Sequence, residues 1–112
     1  MSDMQLAATI LEQLGGNRFI VMTGARDFLG AFNALTFRIP TSPRNRANAV
    51  RITLDPSDTY SVEFMTVRRN HVATVGPIYA GIYGDALPDL FTRVTGLETS
   101  LGTLGRTVDV RI

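Results

Sequence analysis

Val50-Arg51-Ile52-Thr53-Leu54-Asp55-Pro56-Ser57-Asp58-Thr59-Tyr60-Ser61-Val62-Glu63-Phe64-Met65 places an apolar residue at almost every second position on both sides of a short polar turn. Side chains alternate across a β-strand, so Val50, Ile52 and Leu54 share one face and Arg51 and Thr53 the other. Beyond the turn, Tyr60, Val62 and Phe64 repeat the pattern against Ser61, Glu63 and Met65. Asp55-Pro56-Ser57-Asp58 carries the Pro and Asx residues that tight turns favour, which predicts an antiparallel hairpin with one wet face. Pairing Leu54 with Tyr60 sets Arg51 opposite Glu63 on that face.

The pattern extends in both directions. Upstream, Leu35, Phe37 and Ile39 alternate with Thr36 and Arg38 and predict a third strand. Downstream, His71 to Val75, or on to Tyr79, reads as a strand that Gly76-Pro77 interrupts, which suits an edge or a bulge. The β-branched and aromatic run Arg18-Phe19-Ile20-Val21-Met22-Thr23, closed by Gly24, predicts a central strand buried on both faces. Ala25 to Asn33 breaks around Gly30 and reads as a loop or a single turn, with Phe28, Leu29 and Phe32 as its apolar anchors.

Helical periodicity marks the two ends. Ser2 to Leu14 carries Leu6, Ile10 and Leu14 on one stripe, with Ser2 and Gln5 spaced as a capping box and Gly15-Gly16 as a stop. Gly84-Asp85 reads as the cap of a second helix, with Leu87, Leu90, Phe91 and Val94 on one face, Pro88 in its first turn and Gly96 at its end. Both apolar stripes need a surface to cover. The fold expected is therefore α+β with two layers, an antiparallel sheet of about five strands and the N-terminal and C-terminal helices on one face. A single domain over residues 1–112 fits this length, with 98–112 either a C-terminal extension or an added strand.

Composition excludes several classes of function. The 112 residues contain no cysteine, so disulfides, thiolate metal sites and cysteine nucleophiles are absent. The net charge of +1 is too small for steering by overall charge, and too far from acidic for a mimic of DNA. No apolar stretch approaches the ~20 residues of a membrane span and no signal peptide is visible, so a cytoplasmic protein without membrane contact is expected. His71 is the only histidine and has no carboxylate at ligand spacing, so no metal or cofactor is expected. No nucleophile motif or phosphate-cradling glycine loop occurs, and no catalytic residue is nominated.

The candidate binding residues are basic or aromatic. Between Arg38 and Arg69, six arginines face Asp55, Asp58 and Glu63, a local excess of three on a chain whose total is +1. Arg38 and Arg51 fall on the wet face, Arg44 and Arg46 lie in the loop from Pro40 to Asn48, and Arg68 and Arg69 follow the hairpin. Such a basic sheet face beside a basic loop suits a phosphate backbone, while Phe37, Tyr60 and Phe64 point to the core and leave no stacking platform. Comparison with the double-stranded RNA-binding domain fails, because the turn from Gly84 to Asp89 is acidic where that domain is basic. Tyr79, Ile82 and Tyr83 form either an adhesive surface or a lid on the core. The strand near Val72 to Val75 and the segment Val108 to Ile112 are places where a homodimer could pair strands.

Val21-Met22-Thr23-Gly24-Ala25, Leu35-Thr36-Phe37-Arg38-Ile39-Pro40, Val50 to Leu54, Asp58 to Phe64, Gly81-Ile82-Tyr83 and Phe91 to Leu97 together resemble a family of small uncharacterised proteins carried by phages and prophages. The resemblance spans residues 10 to 101 and rests on framework residues. It implies a phage or mobile-element origin and action in the bacterial cytoplasm, and supplies no activity or site. The function expected is a non-enzymatic accessory protein that binds a host or phage protein, as an inhibitor of a bacterial defence system would. The alternative is a nucleic-acid-binding factor of phage replication or recombination that uses the basic face and the 40–48 loop.

Overall fold

A computed structural model describes residues 3–99. The hairpin that decides the fold is present in the expected register. β3 (Ala49–Leu54) and β4 (Tyr60–Arg68) pair antiparallel with Leu54 opposite Tyr60 and Arg51 opposite Glu63. β2 (Ala34–Arg38) joins β3 with Phe37 opposite Val50, and β1 (Arg26–Ala31) joins β2. Leu35, Phe37, Val50, Ile52, Tyr60, Val62 and Phe64 are buried on one face, as their alternation requires.

The far side of β4 is shared by two short strands. β5 (His71–Thr74) pairs with the end of β4, and β6 (Tyr79–Ile82) pairs with its beginning. Val75 N–H still donates to Phe64 O at 2.8 Å, so the ladder breaks only over Gly76-Pro77-Ile78. β5 and β6 amount to one edge strand with an interruption, where Pro lacks the N–H needed for the ladder. The other edge, β1, carries an irregularity between Arg26 and Leu29, with Asp27 at φ 58°. Both edges are therefore broken, a feature that hinders indiscriminate strand pairing.

Three helices cover the apolar face. α1 (Asp3–Leu14) and α3 (Leu87–Thr95) lie at the two ends of the described chain, and α2 (Asn17–Thr23) follows α1 directly. Leu6, Ile10 and Leu14 of α1, Phe19 of α2, and Leu87, Leu90 and Phe91 of α3 join the inward strand residues in one core. Phe19 is its hub, meeting Phe91 edge-on at 5.1 Å and Phe37 at 5.5 Å between ring centroids. Tyr60 reaches from the sheet to α1 and donates to Gln13 Oε1 at 2.6 Å. Burial pushes this phenol above its ordinary pKa, and the neighbouring Asp58 carboxylate adds to the shift.

α2 and α3 end in the same way. Thr23 Oγ donates to Phe19 O at 2.6 Å and accepts from Ala25 N–H, while Thr95 Oγ donates to Phe91 O at 2.7 Å and accepts from Leu97 N–H. Gly24 (φ 75°) and Gly96 (φ 85°) then turn the chain through the left-handed region, which glycine enters without the steric cost of a Cβ. A Cβ would also meet Pro40 at 3.1 Å from Gly24, and Arg44 and Pro43 at 3.0 and 3.1 Å from Gly96. The loop between β2 and β3 is thus packed against both helix ends.

Four expectations are corrected. Residues 18–23 form a helix and not a buried central strand: only Phe19 and Thr23 are fully buried, while Val21 is 80% exposed. Ile20 and Gly24 make helical bonds to Gly16 O and Ile20 O, so backbone satisfaction is local and a sheet partner is unnecessary. Residues 26–31 form edge strand β1 and not a loop, because one edge of β2 is open and a bulge at Asp27 absorbs the poor strand sequence. Gly84-Asp85 belongs to a 3-10 turn (Gly84–Ala86), and α3 begins at Leu87 without a side-chain cap. Met65 has the parity of the wet face but is buried, 4% exposed. Ser2 of the expected capping box and the tail over 100–112, expected as either an extension or an added strand, lie outside the described residues.

Candidate functional site

The sheet gives the molecule two unlike ends. At one end lie the start of β1, the exit of β2, the entry of β3, the exit of β4 and the start of β5. Arg26, Arg38, Arg46, Arg68, Arg69 and His71 belong to these segments. At the other end the β1–β2 turn, the β3–β4 turn and the residues after β6 bring Asp55, Asp58 and Asp85 together with the exposed Phe32 and Tyr83. Arginines, one of them paired with Asp27, gather at one end, and Asp55, Asp58 and Asp85 with exposed aromatics at the other.

The candidate arginines do not act as one group. Arg51 lies over the middle of the outer face, 3.8 Å from Glu63, whose other oxygen accepts from Thr74 Oγ at 2.5 Å. Arg51 is half exposed while Glu63 is only 21% exposed, and at 3.8 Å the pair holds register more than it stabilises. Arg44 is committed to α3: its N–H donates to Thr95 O at 3.0 Å and its Nη1 to Arg93 O at 2.9 Å. A cation there meets the negative end of the helix dipole. Ser42, Asn45 and Ala47 close the rest of the loop, with Ser42 hydrogen-bonded to Asn45 and Ala47 fully buried. Asn48 clamps the loop to the sheet through Val67, donating to its O at 3.1 Å and accepting from its N–H at 2.8 Å. Arg38, Arg46, Arg68 and Arg69 make no ion pair and no side-chain hydrogen bond among the described residues.

Tyr79 and Tyr83 are separated by the structure. Tyr79 is half-buried with its ring 6.0 Å from Phe64, and it seals the core at the β6 edge. Tyr83 is 68% exposed beside Asp85 at the acidic end.

An apolar groove that the sequence reading did not nominate lies on the opposite edge. Met4, Ala7, Ala8 and Leu11 of α1 face Phe28 and Gly30 of β1 across Leu35, enclosing about 200 Å³. Met4 is 83% exposed at its rim, and along the same edge Leu29 and Phe32 are 64% and 82% exposed. Gly30 leaves the groove floor without a side chain, and the outer edge of β1 pairs with no strand among the described residues. The signal for it in the sequence is the three apolar residues Phe28, Leu29 and Phe32 within a segment whose pattern is otherwise irregular. Phe28 and Leu29 point to opposite faces of β1 and Phe32 lies in the turn that follows it, so no one-sided alternation marks the strand in the sequence.

Among the described residues no group of His, Asp and Glu side chains could hold a metal ion, and no helix is long and apolar enough to cross a membrane. Comparison of the chain with protein-family models, with curated proteins and with solved structures finds no match.

Proposed function

We propose that the protein is a non-enzymatic accessory protein that binds another protein through the α1–β1 groove and the open edge of β1. The observation that carries this reading is the apolar groove between α1 and β1, with Met4 83% exposed at its rim, beside an unpaired strand edge that continues into the exposed Phe32 of the β1–β2 turn. An extended partner segment can add its backbone to β1 while placing one apolar side chain between α1 and Phe28, the general mode of strand addition. Met4 and Phe32 each gain about 1.5–3 kcal/mol when fully covered, enough for a few anchors to dominate an interface. The phage resemblance suggests a host or phage protein as the partner, and blocking of a defence-complex surface as the outcome.

The test is capture from a bacterial host at about 0.15 M and about 1 M salt, followed by reconstitution from purified components, with wild type and Phe32→Asp. A partner retained at high salt and bound at least tenfold more weakly by Phe32→Asp supports the reading. A partner bound equally by both forms, or released by salt, removes this surface from consideration.

A further inference from the structure

The arginine end carries an inference that does not rest on the protein-binding reading and uses a different surface. Arg46, Arg68 and Arg69 are exposed at two neighbouring loop tips, the 40–48 loop and the β4–β5 turn, which Asn48 clamps together through Val67. Arg38, on the outer face of the adjoining strand, has its Nε buried without a partner. Among the described residues none of these arginines forms an ion pair, and the neighbouring Asp27 is paired with Arg26 at 2.7 Å. These guanidinium groups are therefore uncompensated, while Arg44 beside them is held by α3 and serves the fold.

Backbone geometry sharpens the contrast. Arg46 (φ 68°) and Arg69 (φ 52°) both occupy the left-handed region, where glycine or asparagine is the cheaper residue. An asparagine stands directly beside each, at Asn45 and Asn70, yet the arginine takes the strained position and projects from the tip. Such outliers are strained, and strain of this kind is concentrated at functional sites.

We propose that this end of the sheet binds the phosphate backbone of duplex nucleic acid, through Arg46, Arg68 and Arg69, with Arg38 extending the site onto the outer face. Planar, always-charged guanidinium groups match phosphate oxygens in pairs. The exposed aromatics Phe32 and Tyr83 lie at the opposite end, so this end has no phenylalanine or tyrosine platform on which the bases of a single strand would stack. Binding is consequently independent of sequence, favours duplexes over single strands, and weakens steeply with salt. Three phosphate contacts give a fall of about 40-fold in affinity between about 50 and about 200 mM salt.

Fluorescence anisotropy with a labelled DNA duplex and the matching single strand, across that salt range, tests the proposal. The proteins are wild type, Arg46→Ala/Arg68→Ala/Arg69→Ala, Arg46→Asn/Arg69→Gly, and Arg51→Ala as the paired-arginine control. Expected is duplex binding with the stated salt dependence, abolished in the triple variant and unchanged in Arg51→Ala. Arg46→Asn/Arg69→Gly removes two contacts while relieving the backbone, so a loss of at least tenfold there cannot come from misfolding. No duplex binding at low salt overturns the proposal. So does tighter binding of the single strand, equal competition by polyglutamate or anionic vesicles, or undiminished binding by the triple variant. Phe32→Asp must bind the duplex as wild type does, which separates failure of this site from failure of the protein-binding surface.

Discussion

Phe19-Ile20-Val21-Met22-Thr23-Gly24 and Phe91-Thr92-Arg93-Val94-Thr95-Gly96 share phenylalanine, threonine and glycine at the same offsets, and they end two helices with the same hydrogen bonds. One segment looks helical from its sequence and the other looks like a strand. α3 has an apolar stripe beginning at Leu87, Pro88 in its first turn and mixed polarity on its outer face. α2 has seven residues, three of them β-branched, and a start at Gly16 without a side-chain cap. The common ending decides what composition leaves open. A buried phenylalanine one turn before a back-bonding threonine fixes the segment to the core, and the glycine releases the chain toward the 40–48 loop. For so short a helix, tertiary anchoring outweighs intrinsic propensity.

Truncating the anchors tests that equivalence most severely. Phe19→Ala and Phe91→Ala should each cost about 3–5 kcal/mol in denaturant unfolding, because both rings are almost wholly buried and touch each other. If Phe19→Ala costs less than half of what Phe91→Ala does, α2 is not held by its anchor and the comparison breaks. Replacing the terminating glycines comes next. Gly24→Ala and Gly96→Ala should each lose about 1–2 kcal/mol from the left-handed backbone alone, with a further loss where the new Cβ presses on Pro40 or on Pro43 and Arg44. Thermal midpoints of the two variants, measured side by side, show whether the two ends hold the loop equally.

The composition of α2 should matter least. Val21→Ala at an 80% exposed helix position should stabilise by up to about 0.5 kcal/mol, whereas a strand residue there would lose on the same change. A measured loss would mean that Val21 packs on something, and would undo the helical reading of its surroundings. Tyr60→Phe lies outside both helix ends and gives a reference for alkaline unfolding. The folded phenol is raised in pKa, so the stability tied to its neutral form is present below the ordinary value of 10.0 and is lost as pH rises through the folded value. Tyr60→Phe should therefore be slightly less stable at neutral pH, where the bond to Gln13 is missing, and fall less steeply above pH 10.0.

Much of the candidate site was half visible for the same reasons. The six arginines between Arg38 and Arg69 were legible as a charge excess, but their division was not. Alternation could place Arg38 and Arg51 on the wet face; it could not show that Arg44 caps α3 or that Arg51 faces Glu63 at a distance that leaves Arg38 alone. The groove beside β1 was missed because its strand carries Gly30 and a bulge at Asp27, and an edge strand of this kind has little pattern of its own.

By itself the sequence determined the central hairpin, its register, the faces of β2 to β4 apart from Met65, and the helices near the two ends of the described chain. Those features depend on periodicity and turn chemistry, which act between near neighbours or across one short turn. Only the tertiary structure decided that residues 17–23 form a helix, that residues 26–31 form a strand, and that unpaired arginines gather at one end of the sheet and Asp55, Asp58 and Asp85 at the other. These outcomes depend on which surfaces remained open once the hairpin and helices had packed. Phe19 had a pocket between Phe37 and Phe91 to fill, and β2 had an unpaired edge to satisfy. Short segments of weak or misleading propensity take the conformation that fills such vacancies, because burial and backbone pairing are worth more than the few tenths of a kcal/mol per residue by which propensities differ.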